Sequence, residues 1–185
     1  MSEIQANKLS PSSGTALQIG DSGDTITIPS GSTIVNSGTA TNFGFTAKNF
    51  FNAYNPSNNV ANETNTKIIF QSENFDTASA YDTSNGRFTI PSGESGKYFL
   101  YAKIRHYNTT SMTREKLQIY KNGSKVALFE HKGDNIYNSI AVSHITQLSA
   151  GDYMEVYYEQ NSGSSNDLSQ FANSPEIEFS GYRIA

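Results

Sequence analysis

The sequence predicts an all-β fold, an antiparallel sandwich preceded by a segment of short strands. Three observations lead to this prediction: apolar and polar residues alternate in short runs, turn-forming residues separate the runs, and no helical apolar period extends beyond two turns. The 11 Phe and 11 Tyr residues supply material for a core although the chain has no Trp. A length of 185 residues suits one such domain with an extension.

Alternation and turn residues place the individual strands. The most specific hairpin signal is Asn122-Gly123, because a two-residue turn of this type matches the twist of paired strands. Eight to ten short strands at this spacing are typical of a sandwich. The predicted strands cover residues 45–54, 67–70, 74–76, 87–90, 97–107, 115–121, 125–131, 139–148, 153–160 and 176–184.

Four sequence blocks resemble the globular head domain of complement component C1q, one of the tumour-necrosis-factor-like jelly rolls. The blocks are YDTSNGRFTIP with GKYFLY, then LQIYKNG, then LSAGDYMEV, then FSGYRI. They occur in the order found in that family, and the resemblance extends over residues 49–185. It implies an antiparallel jelly-roll knob over residues 45–185 that assembles as a homotrimer.

The resemblance also implies that aromatic residues in the first and last blocks are shared between the core and a contact between subunits. Alternation alone does not decide which of them face inward. The predicted trimer-interface residues are Tyr98, Phe99, Tyr101, Phe179 and Tyr182.

Five glycines are predicted to serve the fold rather than a ligand. Turns favour glycine because it accepts a positive φ without steric cost. Gly181 lies inside a strand pattern, which indicates a bulge or the close approach of another backbone. The predicted structural glycines are Gly86, Gly96, Gly123, Gly151 and Gly181.

Residues 1–44 are predicted to form an anchor and a short-stranded stalk. Aliphatic residues occur in brief runs within residues 15–40, separated by clusters of Gly, Asp, Pro and Ser. Each run is too small to bury much surface in one chain, so we expect several chains to wrap around one axis. A disordered linker is the alternative. The segment resembles stalk pieces of tail-fibre and head-fibre proteins of bacterial viruses, which are rich in Thr, Ile, Pro, Ser and Gly.

Composition excludes several classes of function. A net charge of −4 gives no electrostatic footprint for nucleic acid. The chain has no cysteine for disulfides or metal ligation, and no run of about 18 apolar residues that would insert into a membrane. Residues 1–8 lack the apolar centre of a signal peptide, which favours a protein that reaches an exterior position by assembly.

The sequence predicts no enzyme, cofactor or metal site. His106, His131 and His144 fall on different strands without a metal-ligand spacing, and we interpret them as surface or edge histidines. No serine lies in a nucleophile elbow, and no acidic cluster indicates the paired carboxylates of a glycosidase. A calcium ion at a turn aspartate stays open, although no spacing matches a known calcium loop.

Polar loops are the candidate recognition surface, because loops on a rigid scaffold often carry binding function. The candidate recognition residues are Asn58, Asn108, Tyr137 and Asn166. The resulting hypothesis is a non-enzymatic structural protein on the virion surface of a bacterial virus, assembled in the host cytoplasm. Residues 1–40 would bind capsid or tail proteins, and the knob would face outward, where a host-surface glycan is a candidate ligand. Head decoration and tail fibre both stay open, and a secreted recognition ligand of the same family is the alternative.

Overall fold

The computed structural model describes residues 9–33, 35, 37, 50–56, 58–107, 112–132, 137–168 and 176–184. The chain divides into two compact units, Met1–Phe45 and Thr46–Ala185.

The described part of the first unit consists of tight turns joined by extended chain. One turn closes where the Asp24 amide donates to the Asp21 carbonyl at 3.1 Å, and another where the Ser32 amide donates to the Pro29 carbonyl at 3.1 Å. Residues 9–33 contain no strand, so the predicted short strands do not form there in a single chain. Large aliphatic side chains stay exposed, namely Leu9, Leu17, Ile19, Ile26 and Ile28.

The second unit contains thirteen strands in its described residues. They are β1 (Phe50–Pro56), β2 (Asn59–Val60), β3 (Thr66–Ile68), β4 (Phe70–Asp76), β5 (Tyr81–Asp82), β6 (Arg87–Thr89), β7 (Gly96–Tyr107), β8 (Glu115–Lys121), β9 (Ser124–His131), β10 (Tyr137–Leu148), β11 (Tyr153–Gln160), β12 (Asn166–Asp167) and β13 (Glu178–Arg183). Residues 45–49 of the first predicted strand lie outside the described residues.

Two antiparallel sheets form the sandwich. The front sheet has the order β10-β7-β13-β1-β4, and the back sheet has the order β5-β6-β11-β8-β9, with β3 also paired to β11. A small third sheet pairs β12 with β2. The predicted all-β antiparallel sandwich is therefore confirmed, and its strand order follows crossovers between the sheets rather than a simple meander.

The core lies between the two sheets, and the alternation of inward and outward residues is most regular on β7. On β7, Tyr98, Leu100 and Ile104 have no exposed surface. The Phe51 ring stacks on Phe88 from the opposite sheet with centroids 4.1 Å apart. Fully burying one such side chain stabilises the fold by about 1.5–3 kcal/mol relative to exposure, so this row of residues fixes the register of β7.

The β8–β9 hairpin adopts the turn that its sequence predicts. Asn122 and Gly123 have φ values of 50° and 76°, the two positive values that a type I′ turn requires. The Asn122 side chain also reaches the next turn, because its Nδ2 donates to Asp152 Oδ1 at 2.7 Å. The hairpin turn is thus tied to the turn between β10 and β11, which connects the two sheets.

The other predicted structural glycines differ in their surroundings. Gly86 has a φ of 69°, and a Cβ there would lie 2.7 Å from the Ile68 carbonyl oxygen. Gly151 also has a positive φ, of 86°. Gly96 is the first residue of β7 rather than a turn residue with positive φ, so its assignment to a turn is corrected.

Candidate functional site

A row of apolar side chains crosses the outer face of the front sheet. Register places Phe50 opposite Tyr182, Tyr182 opposite Phe99, and Phe99 opposite Ile145. The Tyr182 ring lies 5.4 Å from Phe99 and 6.3 Å from Phe50, centroid to centroid. Tyr182 and Ile145 are 43% and 62% exposed, so this aromatic row (Phe50, Tyr182, Phe99 and Ile145) presents apolar surface across four strands to the outside.

A groove of about 210 Å³ runs beside the aromatic row. Phe75, on the edge strand β4, is 52% exposed and lines this groove together with Phe50 and Phe99. The polar floor is internally satisfied, because Asn52 Nδ2 donates to Glu178 and Asn52 Oδ1 accepts from Asn74, both at 2.6 Å. The groove therefore offers apolar walls without an unsatisfied polar group at its Asn52 floor.

The structure separates the predicted interface residues into two groups. Tyr98 and Phe179 have no exposed surface and face the core, so their assignment to a contact between subunits is corrected. Phe99, Tyr101 and Tyr182 occupy the alternate, outward positions. Partial burial, with Glu178 nearby, raises the pKa of the Tyr101 hydroxyl above its ordinary value. A shift of one residue along the strand moves an aromatic side chain from the core face of the sheet to its outer face.

Exposed apolar side chains also lie on the two faces of β9, the edge strand of the back sheet. Leu128 and Phe129 are 44% and 41% exposed there. Strand β9 ends the back sheet, and β10, which carries Ile145, ends the front sheet. Exposed apolar side chains on an edge strand are unusual in a protein that stays monomeric, because an edge readily pairs with another chain.

The candidate recognition residues do not form one surface. Asn166 is only 2% exposed. The half-buried Asn58 accepts from the Ile69 amide at 2.7 Å and donates to the Lys67 carbonyl at 3.0 Å, so it connects β3 to the start of β4. The burial of Asn166 argues against its assignment to ligand contact, and the hydrogen bonds of Asn58 give that side chain a structural role instead. Tyr137 begins β10, and Asn108 lies outside the described residues.

A buried cluster of polar side chains around the Glu115 carboxylate was not predicted from the sequence. Glu115 Oε2 accepts from Tyr158 at 3.0 Å and lies 2.8 Å from His106 Nε2, and Oε1 lies 3.1 Å from His131 Nδ1. Asn138 Nδ2 also donates to Oε1. Glu115, His106 and Tyr158 have no exposed surface, so the interpretation of His106 as a surface or edge histidine is wrong.

Alternation contains the signal that would have revealed this cluster. His106 continues the inward series of β7, two residues after Ile104, and Glu115 begins the inward series of β8. Polar residues at the ends of inward rows must find partners, because an isolated buried charge is costly. Predicting that His106 contacts Glu115 requires knowledge of how the strands are arranged in the two sheets. The spacing of the histidines in the sequence does not give that arrangement.

The residues that the structure describes contain neither a cluster of metal-ligand side chains nor a membrane-spanning helix. No group of three or more His, Cys, Asp or Glu side chains in that part of the chain converges as a metal site. No helix there is long and apolar enough to cross a membrane.

Comparison with known protein families gives the same fold. Residues 35–184 match the C1q domain. This chain belongs to the C1q domain family. One relative, the uncharacterized protein YqcC of Bacillus subtilis (strain 168), is 29% identical over 126 residues. The alignment covers 64% of this chain and 34% of YqcC, so the chain spans about a third of the relative's length.

Solved structures with the same fold come from both the C1q and the tumour-necrosis-factor branches. The globular domain of zebrafish complement 1qA protein superposes with a TM-score of 0.55 at 17% identity, covering 75% of this chain and 98% of its own. Murine APRIL gives 0.55 at 13% identity, covering 74% and 98%. Eiger TNF from S. frugiperda gives 0.57 at 11%, covering 76% and 94%. The predicted jelly-roll fold is confirmed.

Proposed function

We propose that this protein is a non-enzymatic homotrimeric structural protein whose C1q-like knobs associate through the aromatic row. The carrying observation is the exposed apolar surface of that row and the groove beside it. Proteins with C1q and tumour-necrosis-factor folds typically form homotrimers and are generally ligand or structural domains, which supports the proposal.

Two different apolar patches favour a closed ring over a two-fold dimer. A two-fold interface pairs one patch with itself, whereas a rotational ring joins two unlike patches. The aromatic row supplies one patch, and the edge strand β9, which exposes Leu128 on one face and Phe129 on the other, supplies another. Inserting the β9 edge of one copy beside the aromatic row of the next would cover both patches and the edge strand together.

The proposed setting is the virion surface of a bacterial virus, as a head-decoration or fibre protein assembled in the host cytoplasm. The exposed aliphatic residues of the first unit support this role. Docking on a particle would bury this apolar surface, which a single chain leaves in contact with water. Three copies joined by the knobs would bind a particle more tightly than one, since later contacts become intramolecular. The outward knob would then stabilise the shell or contact a host-surface glycan.

Deleting residues 1–40 tests the proposed setting. We expect the truncated protein to fold and oligomerise but to be absent from purified particles, while the full chain supplied in parallel is incorporated. Quantitative mass spectrometry of particles lacking the endogenous protein would measure incorporation. Equal incorporation of the truncated chain would show that the knob is the anchor. Absence of both chains from particles would contradict the virion role and favour the secreted ligand.

A further inference from the structure

The chain contains two Asn-Gly pairs, Asn85-Gly86 and Asn122-Gly123. Asparagine is a thermolabile residue, and a following glycine makes it most reactive. Glycine carries no side chain that would hinder its amide nitrogen from attacking the Asn side chain. The two pairs are equivalent in sequence, so a difference in reactivity between them must come from the fold.

The fold shields the reacting atoms of Asn85-Gly86. The Gly86 amide donates to the Asp82 carbonyl at 2.8 Å, and Asn85 Nδ2 donates to Asp82 Oδ2 at 2.7 Å. Gly86 is also buried, and it lies so close to Ile68 that no Cβ would fit. The attacking nitrogen is thus occupied as a donor, and this turn cannot change shape without losing packing.

The same atoms are accessible at Asn122-Gly123, at the tip of the β8–β9 hairpin. Both residues are exposed. The Gly123 amide donates to no acceptor in the part of the chain that the structure describes. The nearest atom to a Cβ placed on Gly123 would be the Tyr153 hydroxyl oxygen, 3.7 Å away. The attacking nitrogen is therefore unoccupied, and the turn has room to change shape.

Two hydrogen bonds hold the Asn122 side chain against the turn between β10 and β11. Oδ1 accepts from the Tyr153 amide at 2.8 Å, and Nδ2 donates to Asp152 Oδ1 at 2.7 Å. Ring closure requires the side-chain amide to rotate toward the Gly123 nitrogen, which breaks both bonds. Both bonds are exposed, so water replaces the lost partners and the opening is not prohibitive. The two bonds therefore slow the reaction at Asn122 without preventing it.

We propose that Asn122 is a site of spontaneous deamidation, at a rate controlled by its hydrogen bonds to Asp152 and Tyr153. The Gly123 nitrogen gives its proton to solvent and bonds to Asn122 Cγ. The bond from Cγ to Nδ2 then breaks, and Nδ2 takes up a proton from solvent and leaves as ammonia. Water opens the resulting succinimide at either carbonyl, which gives aspartate or isoaspartate. The net reaction consumes water and releases ammonia, with no change of oxidation state.

Deamidation removes the contact between the two turns. A carboxylate oxygen replaces the Nδ2 donor and faces Asp152, whose pKa is lowered to about 2 by interactions led by the Ser149 amide. Two ionised carboxylates at this separation repel each other. Isoaspartate also lengthens the main chain, which a two-residue turn does not accommodate. Because the release of ammonia is irreversible, the altered form accumulates as the protein ages.

Peptide mapping by mass spectrometry tests the proposal on the full chain. The protein would be incubated at mildly alkaline pH below its melting temperature, and each site quantified over time after digestion in acid, which suppresses further reaction. We expect aspartate and isoaspartate to form at Asn122 about tenfold or more faster than at Asn85, whose opening requires loss of packing. In the urea-unfolded chain both sites should react at similar rates, because the fold no longer distinguishes them.

Variants assign the control of the rate to Asp152. Asp152→Ala removes the acceptor of Asn122 Nδ2 and should accelerate deamidation at Asn122 about two- to tenfold, as the loss of one hydrogen bond implies. Asn85 serves as the control within the same sample, because general destabilisation would accelerate both sites. Glu130→Gln removes an exposed carboxylate from β9 and should leave both rates unchanged.

The comparison of the two sites in the wild type needs no variant, so it decides the question even if Asp152→Ala does not fold. The proposal is overturned if the folded protein deamidates at Asn85 as fast as at Asn122, or if Asn122 reacts in the unfolded chain alone. A folded Asp152→Ala protein with the wild-type rate at Asn122, or with both sites accelerated equally, would contradict the control by Asp152.

Discussion

The absence of a side chain at Gly181 allows the residues around it to pack closely. Gly181 lies in β13 between β1 and β7, with register unbroken on both sides. A Cβ at this position would lie 2.7 Å from Leu100 Cδ2, 2.9 Å from Phe51 Cε1 and 2.9 Å from the Phe99 carbonyl oxygen. One of these contacts is backbone, which cannot move aside as a flexible side chain can.

We therefore expect Gly181→Val to destabilise the fold by about 1–3 kcal/mol or more, the usual cost of overpacking a core. The melting temperature should fall by about 2–4 °C for each kcal/mol in a domain of this size. Ser180→Ala is the matched control, since Ser180 lies on the outer face of the same strand and should melt near the wild type. A wild-type melting temperature for Gly181→Val would contradict the packing described here.

At the residue scale, the sequence predicted residues with a positive φ better than it predicted contacts between side chains. Asn122-Gly123 specifies its own turn because both residues tolerate positive φ, and the geometry follows locally. His106 and Glu115 instead come into contact because the chain crosses from one sheet to the other between β7 and β8. Their chemistry was missed because sequence separation says nothing about which strand ends meet in space.

Among the elements, the turn between β10 and β11 depends on one carboxylate. Asp152 Oδ2 accepts from the Ser149 amide at 2.8 Å and pairs with Lys121 Nζ at 2.9 Å, while Oδ1 accepts from Asn122 at 2.7 Å. These interactions, led by the Ser149 amide, lower the pKa of Asp152 from 3.8 to about 2. A lowered folded-state pKa means that the stabilisation is complete above 3.8 and is lost as the pH falls toward 2.

Asp152→Asn should accordingly lower the free energy of unfolding by about 0.5–1.5 kcal/mol at neutral pH, the net value of a hydrogen bond. The difference from the wild type should shrink as the pH falls below 3.8, because the wild-type carboxyl becomes neutral as well. Urea unfolding of both proteins across this range measures it. A difference that stays constant with pH, or one that Glu130→Gln reproduces, would rule out the role given to Asp152.

The aromatic row makes a separate prediction at the level of the front sheet. Replacing Phe99 and Tyr182 together by Ser removes two outward aromatic side chains and should leave the core intact, since neither faces inward. We expect the double variant to remain folded by circular dichroism and to lose association. Tyr120→Ser, at a half-buried ring on the outer face of the back sheet, is the matched control and should keep the wild-type mass. Retention of that mass by the double variant would place the interface elsewhere.

For elements, the prediction from sequence was accurate where alternation was long and weaker where it was short. Strand β7 alternates over many residues, and the structure places it within one residue of the predicted bounds. The assignment of Tyr98 to an interface failed because its neighbour Phe99 is equally apolar, so alternation could not choose between them. Burial against Phe88 and the rest of the core decides that choice.

At the scale of the whole molecule, the jelly roll follows from the sequence, but the assembly does not follow in the same way. The domain buries its own core and needs no partner to do so. Some apolar side chains remain exposed, from Phe75 and Tyr182 on the front sheet to Phe129 on β9. Which side chains these are depends on how the two sheets pack together. Residues 9–33 likewise show what a single chain leaves exposed without specifying what covers it.

The mass of the purified full chain in solution tests the central claim most directly. Multi-angle light scattering at micromolar concentration should give three times the 20.2 kDa of one chain, with little change on dilution, because apolar patches on two faces would be covered at once. A mass of one chain at that concentration would contradict the trimer, and a mass of two chains would contradict the ring of unlike patches.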